Sequence, residues 1–229
     1  TMLGAWPLDL GEVSGFAERL KCFLVKAARE AKDHSGWLRP DPAHEDALVG
    51  FVESILAPSE SNRFMRDFLR FQERLAFHGA LNALSQVLIK ITAPGVPDIY
   101  QGTELWDLSL VDPDNRRSVD YRKRIGLLEE LRGGETENRR GLLRQIVSDW
   151  TDGRIKLYLT DKALAFRRAH ADVFRQGEYL LVESSGPKQD NIIAFCRRHE
   201  GSWALSIAPR WTTQLTSTRR APLGERAWR

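Results

Sequence analysis

The stretch ITAPGVPDIYQGTELWDLSLVDPDNRRSVDY, residues 91–121, decides how the rest of the chain is read. Pro94, Gly95 and Pro97 end a long helical pattern. Asp98 to Gln101 then read as a short strand, and Gly102 closes it. The loop that follows carries Tyr100, Gln101, Glu104, Trp106, Asp107, Asp112, Asp114, Asn115, Arg116 and Arg117. A helix, a short strand and a polar loop in that order form the repeating unit of an α/β barrel or parallel sheet. In such barrels the loops after the strands carry the functional groups. Carboxylates accept from vicinal hydroxyls, and guanidinium groups donate in a planar fork, so this loop suits a sugar. The same residues also allow a plainer outcome, a loop stitched together by Asp112, Asp114, Arg116 and Arg117 pairing with one another.

Upstream, residues 14–33 have apolar positions at Phe16, Leu20, Phe23, Leu24, Ala27 and Ala31, which predicts an amphipathic helix capped by Ser14. Arg19, Lys26, Arg29 and Lys32 give it a basic face, either solvated or turned toward an anionic or hydroxyl-rich ligand. A second helix is expected from Asp41 or Pro42 to about Leu56. Ser61 or Asn62 can cap a third over 63–92, with Phe64, Phe68, Phe71, Leu75, Leu81, Leu84, Leu88 and Ile91 on its apolar face. His78 and Gln86 near this face are expected to be hydrogen-bonded structural groups.

Downstream, a helix is expected from near Ser118 to the Gly133-Gly134 pair, with a shorter one after it. Another follows over 154–174, with Ile155, Leu159, Ala163, Phe166 and His170 at helical spacing, and Gly177 closes it. From Glu178 the texture changes. YLLVES, NIIAFCRRH and SWALSIAP, separated by SGPKQD and EGS, predict three antiparallel strands.

Composition narrows the function. The 229 residues include 34 basic and 31 acidic side chains, a net charge of +3. The Arg pairs 139-140, 167-168, 197-198 and 219-220 are scattered among acids, which argues against a nucleic-acid partner. No apolar run approaches the roughly 18 residues that span a bilayer. The opening TMLGAWPLDLGEV has no signal-peptide pattern, so a cytoplasmic protein without a membrane partner is expected. The two cysteines, Cys22 and Cys196, fit no zinc or redox spacing and are expected to be reduced thiols. No metal or cofactor is expected. Seven tryptophans are spread along the chain. Their rings suit sugar faces, but only Trp106 stands beside other candidate residues.

APGVPDIYQGTE resembles the last barrel strand of the α-amylase superfamily of glycoside hydrolases, and ALAFRRAHADVFRQGEY resembles its closing barrel helix. More narrowly, LGAWP at 3–7, KAAREAKDHSGW at 26–37, the 92–121 stretch and GRIKLYLTDKAL at 153–164 are similar to the maltooligosyltrehalose synthase family. Ser118 stands where that family's pattern has Pro, and Gly36 where it has Ser.

The resemblance implies an α+β, mainly helical chain. Residues 1–60 would be a helical insertion, and 61–177 the last part of a (β/α)8 barrel. Residues 178–229 would open a C-terminal antiparallel β-domain. It also implies intramolecular transglucosylation, turning the reducing-end α-1,4 bond of a maltooligosaccharide into an α,α-1,1 bond with retention. The nucleophile, acid/base and third carboxylate belong on earlier barrel strands. KDH at 32–34 and AHAD at 169–172 lie in or at the ends of helices, so no catalytic residue is expected within this chain. Sequence is expected beyond both ends. Tyr100, Gln101, Glu104, Trp106, Asp112, Asn115, Arg116 and Arg117 would bind substrate. A barrel portion alone would leave apolar faces open, which a homodimer could cover. The competing reading is a non-catalytic carbohydrate-binding or regulatory module.

Overall fold

The computed structural model describes residues 1–216 and 220–229. Arg219, from one of the basic pairs named above, therefore lies outside the described residues. The helices are α1 (Met2–Ala5), α2 (Val13–Ala31), α3 (Pro42–Leu56), α4 (Arg63–Thr92), α5 (Tyr121–Ser148), α6 (Arg154–Ala169), α7 (Ala171–Arg175) and α8 (Glu225–Trp228). The strands are β1 (Glu178–Leu181), β2 (Ile192–His199) and β3 (Ser202–Pro209). The chain is 60% helical with one small antiparallel sheet, as the sequence implied. No helix among the described residues is long and apolar enough to cross a membrane.

Two compact units divide the chain. The first comprises Thr1–Arg74 with Leu108–Ser118, and the second comprises Leu75–Asp107 with Val119–Arg229. In the first unit, Ala5, Trp6, Phe16, Leu20, Val52 and Leu110 form the core. Trp6 sits edge-on to Phe16 and Phe68, with ring centroids 5.4 and 5.0 Å away. Phe16 and Leu20 are buried, so the predicted stripe of α2 does face a core. Its start differs from expectation. Ser14 lies inside the first turn rather than capping it, because the short 3-10 turn Leu10–Glu12 leads directly into Val13. Asp41 caps α3 by accepting from the His44 amide at 3.1 Å, and Asn62 Oδ1 accepts from the Met65 amide at 3.0 Å.

The basic face of α2 is neither solvated nor turned to a ligand at three of its four positions. Arg19 binds Asp114, Lys26 donates to the Asp112 carbonyl, and Arg29 binds Glu45. Glu45 also accepts from Ser35, which ties the turn after α2 to α3. Arg29, then Ser35, hold the Glu45 carboxyl down at about 2.

In the second unit, α5 and α6 enclose Leu105, Leu131, Ile146 and Leu157, and Val87, Ile91 and Ala163 join α4 to α6. The apolar face assigned to α4 is only partly the buried one. Ile91 and Phe77 are buried, whereas Phe64, Phe71 and Leu75 are exposed. On α6 the buried face is Leu157, Thr160 and Ala163, and Phe166 is exposed. His78 Nδ1 shares a 2.8 Å hydrogen bond with Thr212 Oγ1, the structural role expected of it.

Helix α5 does not stop at Gly133-Gly134. It runs on to a break at Asn138, whose φ/ψ of −153°/76° is non-helical. Gly133 and Gly134 both lie inside the helix, and a Cβ on Gly134 would meet Leu142 at 3.4 Å, an ordinary contact. The predicted helix over 154–174 is split at His170 into α6 and α7.

The sheet has order β1-β2-β3, with Leu180 opposite Cys196 and Cys196 opposite Leu205. It packs on α7 through Val173, Phe174 and Ala204. Gly177 is required at the α7–β1 corner, because a Cβ there would meet the Val173 carbonyl oxygen at 2.1 Å. Burial alternates strictly along Ala204, Ser206 and Ala208, leaving Trp203, Leu205 and Ile207 exposed on the other face. Cys22 is exposed, Cys196 is buried, and both are free thiols.

Residues 98–101, read as a short strand, take no strand pairing here, and the described residues contain only the β1-β2-β3 sheet. Val96 is 94% exposed. An isolated extended segment has no ladder to complete, so it takes no regular structure.

Candidate functional site

The predicted site residues fall in both units. Tyr100, Gln101, Glu104 and Trp106 lie in the second, and Asp112, Asn115, Arg116 and Arg117 lie in the first.

In the second unit, the Pro94–Gly95–Pro97 break turns the chain out of α4, and Gly102 (φ 89°) turns it again before Glu104. Gln101 is exposed and Tyr100 half-exposed. Glu104 is anchored, accepting from Arg124 Nε at 3.0 Å, while Arg124 Nη2 donates to the Gly102 carbonyl at 2.7 Å. Trp106 is anchored as well. Its indole N–H donates to the Trp150 carbonyl at 2.6 Å, and the two rings meet edge to face at 6.3 Å. Gly153 (φ 81°) lets the start of α6 approach this loop, since a Cβ would stand 3.1 Å from the Trp106 nitrogen.

Tyr100 lines a cavity of about 470 Å³ with Gln86, Lys90, Asp98, Thr103 and Lys156. Polar side chains and one aromatic ring border the same space, the character of a site for a polyhydroxylated ligand. Lys156 was not singled out from the sequence. Its Nζ donates to the Leu105 carbonyl at 3.1 Å and lies 5.6 Å from the Trp106 ring centre. Burial, then the Lys90 charge, push its ammonium below the ordinary value, against the pull of Asp107 and Glu104. The available signal was spacing: Lys156 shares a helix face with Thr160 and Ala163, both buried.

In the first unit, residues 108–118 wrap onto α2 through one carboxylate. Asp114 accepts from Arg19 Nε at 2.9 Å, Arg19 Nη2 at 2.8 Å and the Leu110 amide at 2.6 Å. Burial raises its carboxyl, but Arg19, the Leu110 amide and the nearby charge of Arg117 outweigh that and hold it below the ordinary range. Asp112 pairs with Arg116 across one turn, and the Asp112-Pro113 peptide is cis. Arg117 donates to the Asp114 carbonyl at 3.0 Å and to Ser109 Oγ at 3.1 Å.

The plainer possibility, a loop held by its own ion pairs, is therefore realised, with Arg19 as the unanticipated main partner of Asp114. It leaves the Arg116 side chain largely exposed and Asn115 Oδ1 buried without a partner. No group of metal-ligating side chains occurs among the described residues.

No family model matches the chain. Individual relatives do. A Mycobacterium tuberculosis protein named as a maltooligosyl trehalose synthase is 36% identical over 218 residues, 95% of this chain and 25% of its own length. The solved maltooligosyltrehalose synthase of Arthrobacter ramosus matches with a TM-score of 0.74 and 34% identity, over 93% of this chain and 25% of that one. A further crystal structure of a maltooligosyl trehalose synthase gives a TM-score of 0.69 at 31% identity, over 86% of this chain. The chain belongs to the maltooligosyl trehalose synthase family and spans a quarter of the length of the relatives it matches.

Proposed function

We propose that this chain is the C-terminal portion of an intramolecular transglucosylase of trehalose formation. The observation that carries the reading is 36% identity sustained over 95% of the chain to a relative named for that activity. In this reading residues 61–177 are the last part of the barrel, 1–60 a helical insertion and 178–229 the opening of a β-domain. Residues 98–101 would be the barrel strand, awaiting neighbours on both sides. Asp98 and Ile99 make no backbone–backbone hydrogen bond to the described residues, which leaves them open to strand pairing.

The substrate is a maltooligosaccharide. A retaining mechanism needs two carboxylates roughly 5–5.5 Å apart, and these, with the third, are assigned to sequence outside this chain. This chain supplies binding and orientation. Tyr100 and Trp106 offer ring surface to the sugar, Gln101 donates and accepts at its hydroxyls, and the Glu104 carboxylate accepts from them. Asp112, Asn115, Arg116 and Arg117 hold the released reducing-end glucose while it turns to present its anomeric hydroxyl. Retaining that glucose excludes water as the competing acceptor. The reaction needs no metal or cofactor in this scheme, and the setting is cytoplasmic.

The test uses the longer enzyme. Arg116→Ala should shift products from isomerised glucan toward free glucose, because Arg116 is exposed for substrate and holds little structure. An unchanged product ratio would sink the assignment.

A further inference from the structure

A second cavity, of about 570 Å³, lies at the end of α6 and is lined by Arg167, Arg168 and Arg175. No carboxylate lines it. Arg167 is fixed in place: Nη1 donates to the Ile91 carbonyl and Nη2 to the Gly95 carbonyl, each at 2.5 Å. Its guanidinium also lies 5.3 Å from the Phe174 ring centre. Arg168 and Arg175 have exposed side chains, with no hydrogen bond or ion pair to any described residue.

A fourth cation is within electrostatic reach. Arg197 of β2 is 3% exposed, donates from Nη2 to the Gly177 carbonyl at 2.7 Å, and has a buried Nη1 with no partner. Burial, then the charge of Arg167, push its guanidinium below the ordinary value. Arg167 and Arg197 repel one another, and burying Arg197 with Nη1 unpaired is costly. An anion in the cavity beside Arg167 relieves the repulsion.

We propose that this cavity binds a phosphate monoester, its phosphoryl oxygens taken by Arg168 and Arg175 and its body lying against Pro97, Leu164 and Phe174. Guanidinium groups suit phosphate oxygens through their planar fork. The volume is that of a small-molecule site, and the wall apart from the arginines is apolar. An acidic peptide fits less well. Its backbone would need hydrogen-bond partners, while Pro97 has no N–H and the Gly95 carbonyl already accepts from Arg167. This site is independent of the glucan-binding residues proposed above.

The experiment is calorimetric titration of the 229-residue chain at low salt with glucose 6-phosphate. Inorganic phosphate, glucose and a glutamate-rich peptide serve as the other probes. Glucose 6-phosphate should bind saturably, at least about tenfold more tightly than inorganic phosphate, with no heat from glucose. The double variant Arg168→Gln/Arg175→Gln should weaken it by at least about tenfold. Its urea midpoint should stay unchanged, because neither side chain holds the fold together. The proposal is overturned by absent binding at millimolar glucose 6-phosphate, by inorganic phosphate binding equally well, by unaltered binding in the double variant, or by the peptide binding in its place.

Discussion

Asp114 shows how a single carboxylate can organise a loop. Three donors reach it, two from Arg19 and one from the Leu110 amide, and together they fasten residues 108–118 to α2. Asp114→Asn keeps the shape but removes the charge and turns one acceptor into a donor. It should cost about 1.5–3 kcal/mol, the range for hydrogen bonds to a charged group, read from urea unfolding. The same reasoning gives a pH dependence. Glu45 and Asp114 are both held below their ordinary values, so the unfolded chain binds more protons in that window. For Glu45 the contribution is complete above 4.5 and is lost as the pH falls to about 2. The urea midpoint should drop across that interval, and less steeply in Glu45→Gln. A residue-scale reading of the sequence saw the acids and arginines of this loop but paired them locally. Arg19 lies 95 residues before Asp114, and no spacing rule links them.

The elements themselves were largely legible. Helices α2 to α4 and the three strands follow from periodicity and turn residues, because each has an apolar face that only one period can present. Two departures came from packing that local propensity does not encode. Gly133 and Gly134 cost roughly 1 kcal/mol each in a helix interior, which made a helix end the natural expectation. The α5 core around Leu131 and Ile146 outweighs that cost. Nothing stands within 4 Å of a Cβ placed on Gly133. Gly133→Ala should therefore raise stability by about 0.5–1 kcal/mol in thermal unfolding. A loss of stability would mean that the helix ends where the sequence suggested. Residues 98–101 erred the other way. Their composition suits a strand, but a strand is a property of its neighbours, and none is present among the described residues.

For the whole molecule, the exposed apolar surface matters most. Trp203, Leu205 and Ile207 are each more than half exposed on one face of β3, and Val96 is almost fully so. Surfaces of this kind mark interfaces. A chain spanning a quarter of its relatives' length has ready candidates for the missing cover. In isolation we expect concentration-dependent self-association by sedimentation, reduced in Ile207→Glu. A monomer at all concentrations would contradict it. The proposed glucan-binding residues were legible as a list of residue types, whereas Lys156 and the cavity it shares with Tyr100 required the fold.

In the reading proposed above, this chain carries the binding wall of a glucan-rearranging site but not its chemistry. Calorimetric titration of the 229-residue chain with maltopentaose tests it most directly. We predict a saturable heat that is lost in Tyr100→Ala, with no continuing heat of turnover and no new product at the end of the run. A chain that gives no saturable heat would contradict the binding wall. A steady heat with conversion of the sugar would contradict the placement of the catalytic carboxylates outside it.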